Sequence, residues 1–248
     1  MMNIGQKLTS PLIKAAINGS RTKLDSTKIP TSKEEILAEA KLSVIAGAQQ
    51  IHFHVRDKNG RETLDGKFVA EQLSLLRQHL LNIPIGISTG DWIEPNFELR
   101  KKLINGWTTF PDFVSVNFGE DNCEQIIKML LDKAVSIEAG ISKVADAKRL
   151  INSGLLKYCF RILIEPQEHT ISGALENVSA IEKVILPVIS RQEILLHGLN
   201  GTCWALIEKA FERNYSTRVG FEDTLYIDET TKAESNAALI KKALSFKK

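Results

Sequence analysis

The run Ile51-His52-Phe53-His54-Val55-Arg56-Asp57 carries the strongest chemical signal in the chain. Side chains alternate along a strand, so His52 and His54 share one face while Ile51, Phe53 and Val55 share the other. Two neutral imidazoles set close together in a concave site suit Zn²⁺ or a similar divalent transition metal. The plainer alternative is a pair of hydrogen-bonded core histidines. Two protein ligands hold a metal weakly, so the metal reading asks for a third. Arg218-Val219-Gly220-Phe221-Glu222-Asp223 contains a candidate. Arg218, Gly220 and Glu222 have one parity; Val219 and Phe221 have the other. With the apolar pair turned to a helical layer, Arg218 and Glu222 point inward. A buried Arg needs a carboxylate, which Glu222 or Asp223 can supply. A structural ion pair is the competing account of this segment.

Weaker signals sit at other predicted strand ends. Ile87-Ser88-Thr89-Gly90 places the Ser88 hydroxyl where a ligand oxygen could be bound. Val114-Ser115-Val116-Asn117 does the same with Ser115 and Asn117, and Ile137-Glu138-Ala139-Gly140 adds Glu138 as an inward carboxylate. Each hydroxyl could equally satisfy a strand end or cap a helix. His197-Gly198-Leu199-Asn200-Gly201-Thr202 is a small polar loop that opens a helix, and a helix N-terminus favours anions, including the phosphates of a bulky cofactor.

These residues need elements to hold them. Short apolar runs alternate with amphipathic stretches along the whole chain. Strands are predicted at 11–17, 50–55, 85–88, 113–116, 135–138, 158–164, 194–196 and 217–221. Helices are predicted at 69–81, 97–104, 124–133, 142–152, 173–184, 202–214 and 230–246, with a further one opening at Ser32. There, Thr31-Ser32-Lys33-Glu34-Glu35 supplies a cap with acidic residues in the first turn. Eight strands, each followed by a helix, in about 250 residues predict an α/β TIM (β/α)8 barrel. An open doubly wound sheet is the rival. In the barrel, strands 2 and 8 both flank strand 1, which brings His52, His54 and Glu222 to one mouth. Active sites form at that C-terminal face.

Composition sets the class. The chain has 248 residues, 43% hydrophobic and 25% charged, which excludes a disordered or collagen-like chain. No linker or low-complexity segment divides it, so residues 1–248 are expected to form one domain. Lys+Arg number 32 and Asp+Glu 30, too even for a nucleic-acid footprint. No run approaches the roughly 18 apolar residues of a membrane span. The N-terminus lacks signal-peptide features, and Cys123, Cys159 and Cys203 form no C-x-x-C motif. A reducing, cytoplasmic location is the expectation.

The ordered set of motifs resembles the β-keto acid cleavage enzymes, whose founding activity is 3-keto-5-aminohexanoate cleavage. It runs from Ala15-Ala16-Ile17-Asn18-Gly19 and Ile29-Pro30-Thr31-Ser32-Lys33-Glu34-Glu35 through Gly47-Ala48 and the His52–Asp57 run. It continues with Ile87-Ser88-Thr89-Gly90 and Val116-Asn117, and ends with Arg218–Asp223 and Ala233-Glu234-Ser235-Asn236-Ala237. The resemblance implies a TIM barrel holding one divalent metal, usually zinc, on His52, His54 and Glu222. It implies that Ser88 and Ser115 hold the substrate's carboxylate and carbonyl end, Ser115 standing where the family has Thr, and that Asp223 with Arg218 forms an acid–base dyad. The implied reaction joins a β-keto acid to acetyl-CoA and cleaves the product to acetoacetate and a new acyl-CoA, without a redox cofactor. Homo-oligomers, dimers or tetramers, are implied as well.

One position departs from that pattern. Where the family's amine-substrate prototype has a Glu that pairs with the substrate's amino group, this chain has Arg21, in Asn18-Gly19-Ser20-Arg21-Thr22. A cation cannot attract an ammonium. Arg21 is therefore expected either to meet the distal end of a neutral or anionic β-keto acid, or to bind CoA phosphates. Two rival functions remain open: a metal-dependent TIM-barrel lyase or aldolase acting on small oxo-acids without CoA, and a barrel that binds a metabolite without turning it over.

Overall fold

The computed structural model describes residues 10–190 and 192–247. Its elements alternate as the hydrophobic pattern predicts. They are β1 (Ile13–Ala16), α1 (Lys33–Ile45), β2 (Gln50–Phe53), α2 (Gly66–His79), β3 (Ile85–Ser88), α3 (Phe97–Asn105), β4 (Phe113–Asn117) and α4 (Cys123–Leu131). Then follow β5 (Ser136–Ile141), α5 (Val144–Asn152), β6 (Cys159–Ile164), α6 (Ile171–Ile185), β7 (Glu193–Leu196), α7 (Cys203–Glu212), β8 (Thr217–Val219) and α8 (Asn236–Ser245). Single 3₁₀ turns precede β6 and α7.

All strand pairs are parallel, in the order β7-β6-β5-β4-β3-β2-β1-β8. The ends of that sheet meet. Leu195 bridges to Ser216, the Leu196 amide donates to the Ser216 carbonyl, and Thr217 Oγ1 donates to the Leu196 carbonyl at 2.8 Å. The fold is therefore a TIM barrel, and the open doubly wound sheet is set aside. Strand parity divides the side chains as expected. Ile51, Phe53 and Val55 join the large apolar layer between strands and helices, together with Ile36, Ala40 and Leu73. The barrel interior is polar and charged, holding Lys14, Gln50, Glu138, Arg161 and Arg218 beside a small apolar cluster of Leu12, Leu163 and Leu195.

Two element boundaries differ from expectation in ways that matter. β5 continues to Ile141, so Glu138 is its third residue of six rather than its C-terminal end. Pairing persists because Asn117 on β4 still matches Gly140 on β5, where the absent side chain leaves room for the Asn117 amide. The last helix begins at Asn236, six residues later than the periodicity suggests. Asp228 Oδ1 accepts from the Thr230 and Thr231 amides, folding that stretch into a turn, and Tyr226 then bridges Lys232. Ser235 provides the actual cap, accepting from the Ala238 amide.

Candidate active site

The site forms where three strand ends are tied together. Asn18, just past β1, accepts from the His54 amide at 2.8 Å and donates to the His54 carbonyl at 3.0 Å. This fixes His54 although β2 ends at Phe53. The chain after β8 crosses toward β1, and the Glu222 amide donates to the Ala16 carbonyl at 3.2 Å. Two glycines permit that crossing. A Cβ on Gly220 would lie 1.9 Å from the Ala16 oxygen, and Gly19, with φ +58°, leaves space that the Glu222 side chain fills.

His52, His54 and Glu222 converge, their ligand atoms all within 4.8 Å of one another. Strand parity does not deliver Glu222, however. β8 stops at Val219, short of the expected 221, and a turn closed by the Asp223 and Thr224 amides on the Gly220 carbonyl carries Glu222 to the histidines. His52 Nε2 lies 3.6 Å from Glu222 Oε2, and His54 Nε2 lies 3.5 Å from Glu222 Oε1. Three ligands at about 2.0–2.2 Å from a tetrahedral ion stand about 3.3–3.6 Å apart, so the spacing matches a zinc-sized cation. Glu222 Oε2 is buried and has no hydrogen-bond partner among the described residues, which also fits a group able to satisfy the cluster. Burial pushes the His52 imidazole well below its ordinary range. Burial would raise the Glu222 carboxyl, but Arg218, His52 and His54 outweigh it and hold the carboxyl well below the usual range. Burial also opposes charge on His54; there Glu222 and Glu62 win, and its pKa rises to about 9.

Glu62 is a site residue that the sequence reading missed. Its Oε1 lies 2.5 Å from His54 Nδ1 and accepts from Trp92 Nε1 at 3.2 Å, while the Trp92 ring stacks on His54 at 6.0 Å. A carboxylate on the far nitrogen orients the ring and leaves Nε2 for a ligand role. The available signal was Asp57-Lys58-Asn59-Gly60. Asp57 Oδ1 accepts from the Asn59 and Arg61 amides, Gly60 takes φ +76°, and the chain doubles back so that Arg56 bridges Glu62.

Arg218 lies between two carboxylates. Its Nη2 donates at 2.8 Å to Glu222 Oε1 and at 2.8 Å to Asp223 Oδ1. Asp223 is fully buried beneath this contact, and its Oδ2 has no hydrogen-bond partner among the described residues. Beside these groups opens a cavity of about 620 Å³, lined by Arg21, His54, Trp92, Asn117, Glu165, Arg218 and Glu222 among others. Asn117 and Arg21 thus reach the cavity. Arg21 donates to Asn200 Oδ1 at 2.6 Å and to the Glu222 carbonyl at 3.4 Å. Ser88 is buried and accepts from the Gly90 amide. Ser115 donates to Glu138 at 2.7 Å. Glu138 lies below the cavity because β5 runs past it; Lys14 Nζ sits 2.6 Å from both its oxygens and Arg161 Nη1 2.9 Å from one. The expected contact of Glu138 with a ligand at the mouth is corrected to a buried ion cluster.

A closed βα barrel with two imidazoles and a carboxylate gathered at the C-terminal ends of its strands has the layout of a catalytic TIM barrel. The chain belongs to the beta-keto acid cleavage enzyme family, which it matches over residues 11–247. It is 27% identical over 252 residues to a 3-keto-5-aminohexanoate cleavage enzyme of Fusobacterium nucleatum subsp. nucleatum, covering 96% of this chain and 91% of that one. It is 25% identical over 251 residues to a 3-oxoadipate:acetyl-CoA acetyltransferase of Cupriavidus necator, covering 94% and 87%. Among solved structures, apo ObcA superposes with a TM-score of 0.68 at 15% identity, over 89% of this chain and 62% of ObcA. The tryptophan synthase alpha chain of Legionella pneumophila subsp. pneumophila superposes with a TM-score of 0.61 at 10% identity, over 96% and 92%. These two likenesses concern the fold alone.

Proposed function

We propose that this chain condenses a β-keto acid with acetyl-CoA and cleaves the adduct to acetoacetate and a new acyl-CoA. The observation that carries this reading is the convergence of His52, His54 and Glu222 beside the Arg218–Asp223 pair at the mouth of the barrel. Membership of the family supports it, as does the similarity to a relative named as a 3-oxoadipate:acetyl-CoA acetyltransferase. The three side chains would hold a divalent cation, zinc by ligand type, and when bound it supplies a Lewis acid for the substrate's oxygens.

The remaining work falls to the protein. Asp223 accepts the α-proton of the β-keto acid at Oδ2, through one water because the carboxylate lies beneath the cavity floor. Arg218 holds the opposite oxygen and balances charge as it moves. The enolate carbon forms a C–C bond to the thioester carbonyl, and the C–S bond breaks to release CoA thiolate. The thiolate then attacks the original keto carbon, the C–C bond to the acid's α-carbon breaks, and acetoacetate leaves after regaining the proton from Asp223. Asn117, at the cavity wall, is placed to bind a substrate oxygen. Ser88 accepts from the Gly90 amide and keeps its own O–H to donate to the substrate's carboxylate or carbonyl end, whereas Ser115 gives its O–H to Glu138 and takes that role only on releasing it.

Arg21 bears on substrate choice. Among the described residues it lines the cavity without an ion pair, so its charge stays available at the rim. A distal ammonium would meet repulsion there; a distal carboxylate would gain a charge-assisted partner. The deciding assay follows acetoacetate formation from amino, neutral and dicarboxylic β-keto acids, with and without acetyl-CoA. Turnover that does not require acetyl-CoA would refute the transfer reaction in favour of a lyase. An unchanged substrate ranking in Arg21→Glu would remove Arg21 from specificity.

A further inference from the structure

The Arg218–Asp223 pair has a third member that neither the motifs nor the mechanism above employs. His197, the residue after β7, is completely buried; its Nδ1 lies 3.4 Å from Asp223 Oδ1, within ion-pair range but not aligned as a hydrogen bond, and has no hydrogen-bond partner among the described residues. Its Nε2 lies 3.2 Å from Glu165 Oε2. Glu165 lines the cavity, so the three side chains run from the buried floor to the open wall. The backbone fixes the arrangement. β6 and β7 pair Ile164 with Leu196, which sets the next two residues, Glu165 and His197, side by side. The His197 amide donates to the Ile164 carbonyl at 3.2 Å, and the Asn200 amide donates to the Asp223 carbonyl at 2.7 Å. The loop after β7 is thereby tied to the segment after β8.

Arg218 alone holds Asp223 poorly. Its Nη2 is divided between Glu222 Oε1 and Asp223 Oδ1, and its Nε has no hydrogen-bond partner among the described residues. A carboxylate anchored by half of one amino group can rotate and exchange its two oxygens. Only the imidazolium carries an N–H on both ring nitrogens, so a His197 that serves Glu165 and Asp223 together is the protonated ring, which two flanking carboxylates favour. We propose that His197 is a positioning residue for Asp223: together with Arg218 it occupies Oδ1, so that the proton accepted in the reaction falls to Oδ2, and Glu165 fixes the imidazole ring in that orientation. The electrostatics agree with the geometry. Burial and Arg218 press the His197 pKa down, yet Asp223 and Glu165 outweigh them and the net shift is upward. The inference rests on the proposed role of Asp223 as the base.

The test separates geometry from chemistry. His197→Asn keeps a donor near the Nδ1 position and loses the link to Glu165, whereas His197→Leu loses both. The expected result is that His197→Leu lowers kcat about 10- to 100-fold, the size of effect that a misplaced base produces, with KM for the β-keto acid and metal content unchanged. His197→Asn recovers most of that loss. A merely structural histidine would not be rescued by the smaller amide, so a His197→Asn variant no better than His197→Leu overturns the proposal. So does a His197→Leu variant with wild-type kcat. The second measurement is independent of turnover: ¹⁵N NMR of histidine-labelled protein, with the His197 signal assigned by its absence in His197→Asn. Asp223→Asn is expected to move the His197 Nδ1 resonance, and an unmoved resonance overturns the contact. Should the wild type consume no β-keto acid with acetyl-CoA, the reaction reading fails and the NMR result alone decides whether His197 holds Asp223.

Discussion

At the scale of single residues, the site separates ligands from the groups that aim them. His52, His54 and Glu222 meet at distances that suit one cation. His52→Ala, His54→Ala and Glu222→Ala should each lower metal content and abolish turnover in a folded barrel; full occupancy by elemental analysis in all three would remove the assignment. Glu62 acts only through His54 Nδ1, so Glu62→Gln should keep the fold and weaken metal affinity by about 10- to 100-fold in a competition titration with a chelator. Unaltered affinity would reduce Glu62 to a surface acid that happens to touch Trp92. Asp223→Asn isolates the other half of the machinery. It should retain the metal and lose about 10²–10⁴-fold in kcat. Near wild-type turnover would take Asp223 out of the mechanism. Arg218→Lys should also be damaging, because both carboxylates are met by the terminal Nη2 alone and the shorter lysine side chain falls short of that position.

At the scale of elements, parity and capping were legible and loop geometry was not. Ser32 caps α1 with the reciprocal Ser32–Glu35 box expected from Thr31-Ser32-Lys33-Glu34-Glu35. Parity turns His52 of β2 and Arg218 of β8 inward, whereas His54 and Glu222 lie just past their strands and are set by the Asn18 contacts and by the turn after Val219. Glu62 escaped notice because a hairpin delivers it rather than a period, and Glu138 was set too high because apolar runs mark where a strand starts better than where its pairing stops. His197 stood out only as part of a polar loop; its contact with Asp223 depends on register between β6, β7 and β8, which no local pattern encodes. The loop after β1 offers a direct test of how elements hold the site. Gly19 has φ +58°, and a Cβ there would lie 2.4 Å from Glu222 Cγ. Gly19→Ala should cost about 1–2 kcal/mol in denaturant unfolding for the left-handed backbone. It should also displace Glu222 and reduce metal content. A variant with native metal content would mean that Glu222 has a second position from which to bind.

At the scale of the whole molecule, the barrel floor is a chain of alternating charges rather than the usual packed layers of branched apolar residues. Lys14 on β1 pairs with Glu138 on β5, Glu138 with Arg161 on β6, and Arg161 with Glu193 on β7. Gln50 accepts from Arg161, Ser115 donates to Glu138, and Ser216 donates to Glu193. Buried ion pairs give little net stability, yet breaking one leaves a charge uncompensated. Burial is the largest influence on Lys14 and, with Arg161 and Arg218, lowers its pKa to about 8 despite Glu138. The sign of the pH dependence follows. In the unfolded chain Lys14 titrates near its ordinary 10.5, so between about pH 8 and that value the unfolded state binds more protons than the folded one. Stability from this group therefore rises with pH across that window, and its burial penalty is fully present below about pH 8. Lys14→Met removes the lysine's titration and strips Glu138 of its closest partner. The expected loss at pH 7 is about 3 kcal/mol, the low end for a broken buried pair because Arg161 remains to hold the carboxylate. Chemical denaturation of both proteins from pH 7 to 10.5 provides the check: the stability difference should widen above pH 8 as the wild type sheds its penalty. A difference that stays constant across the window would mean that Lys14 titrates as an ordinary lysine and that the floor of the barrel is not the desolvated charge chain described above.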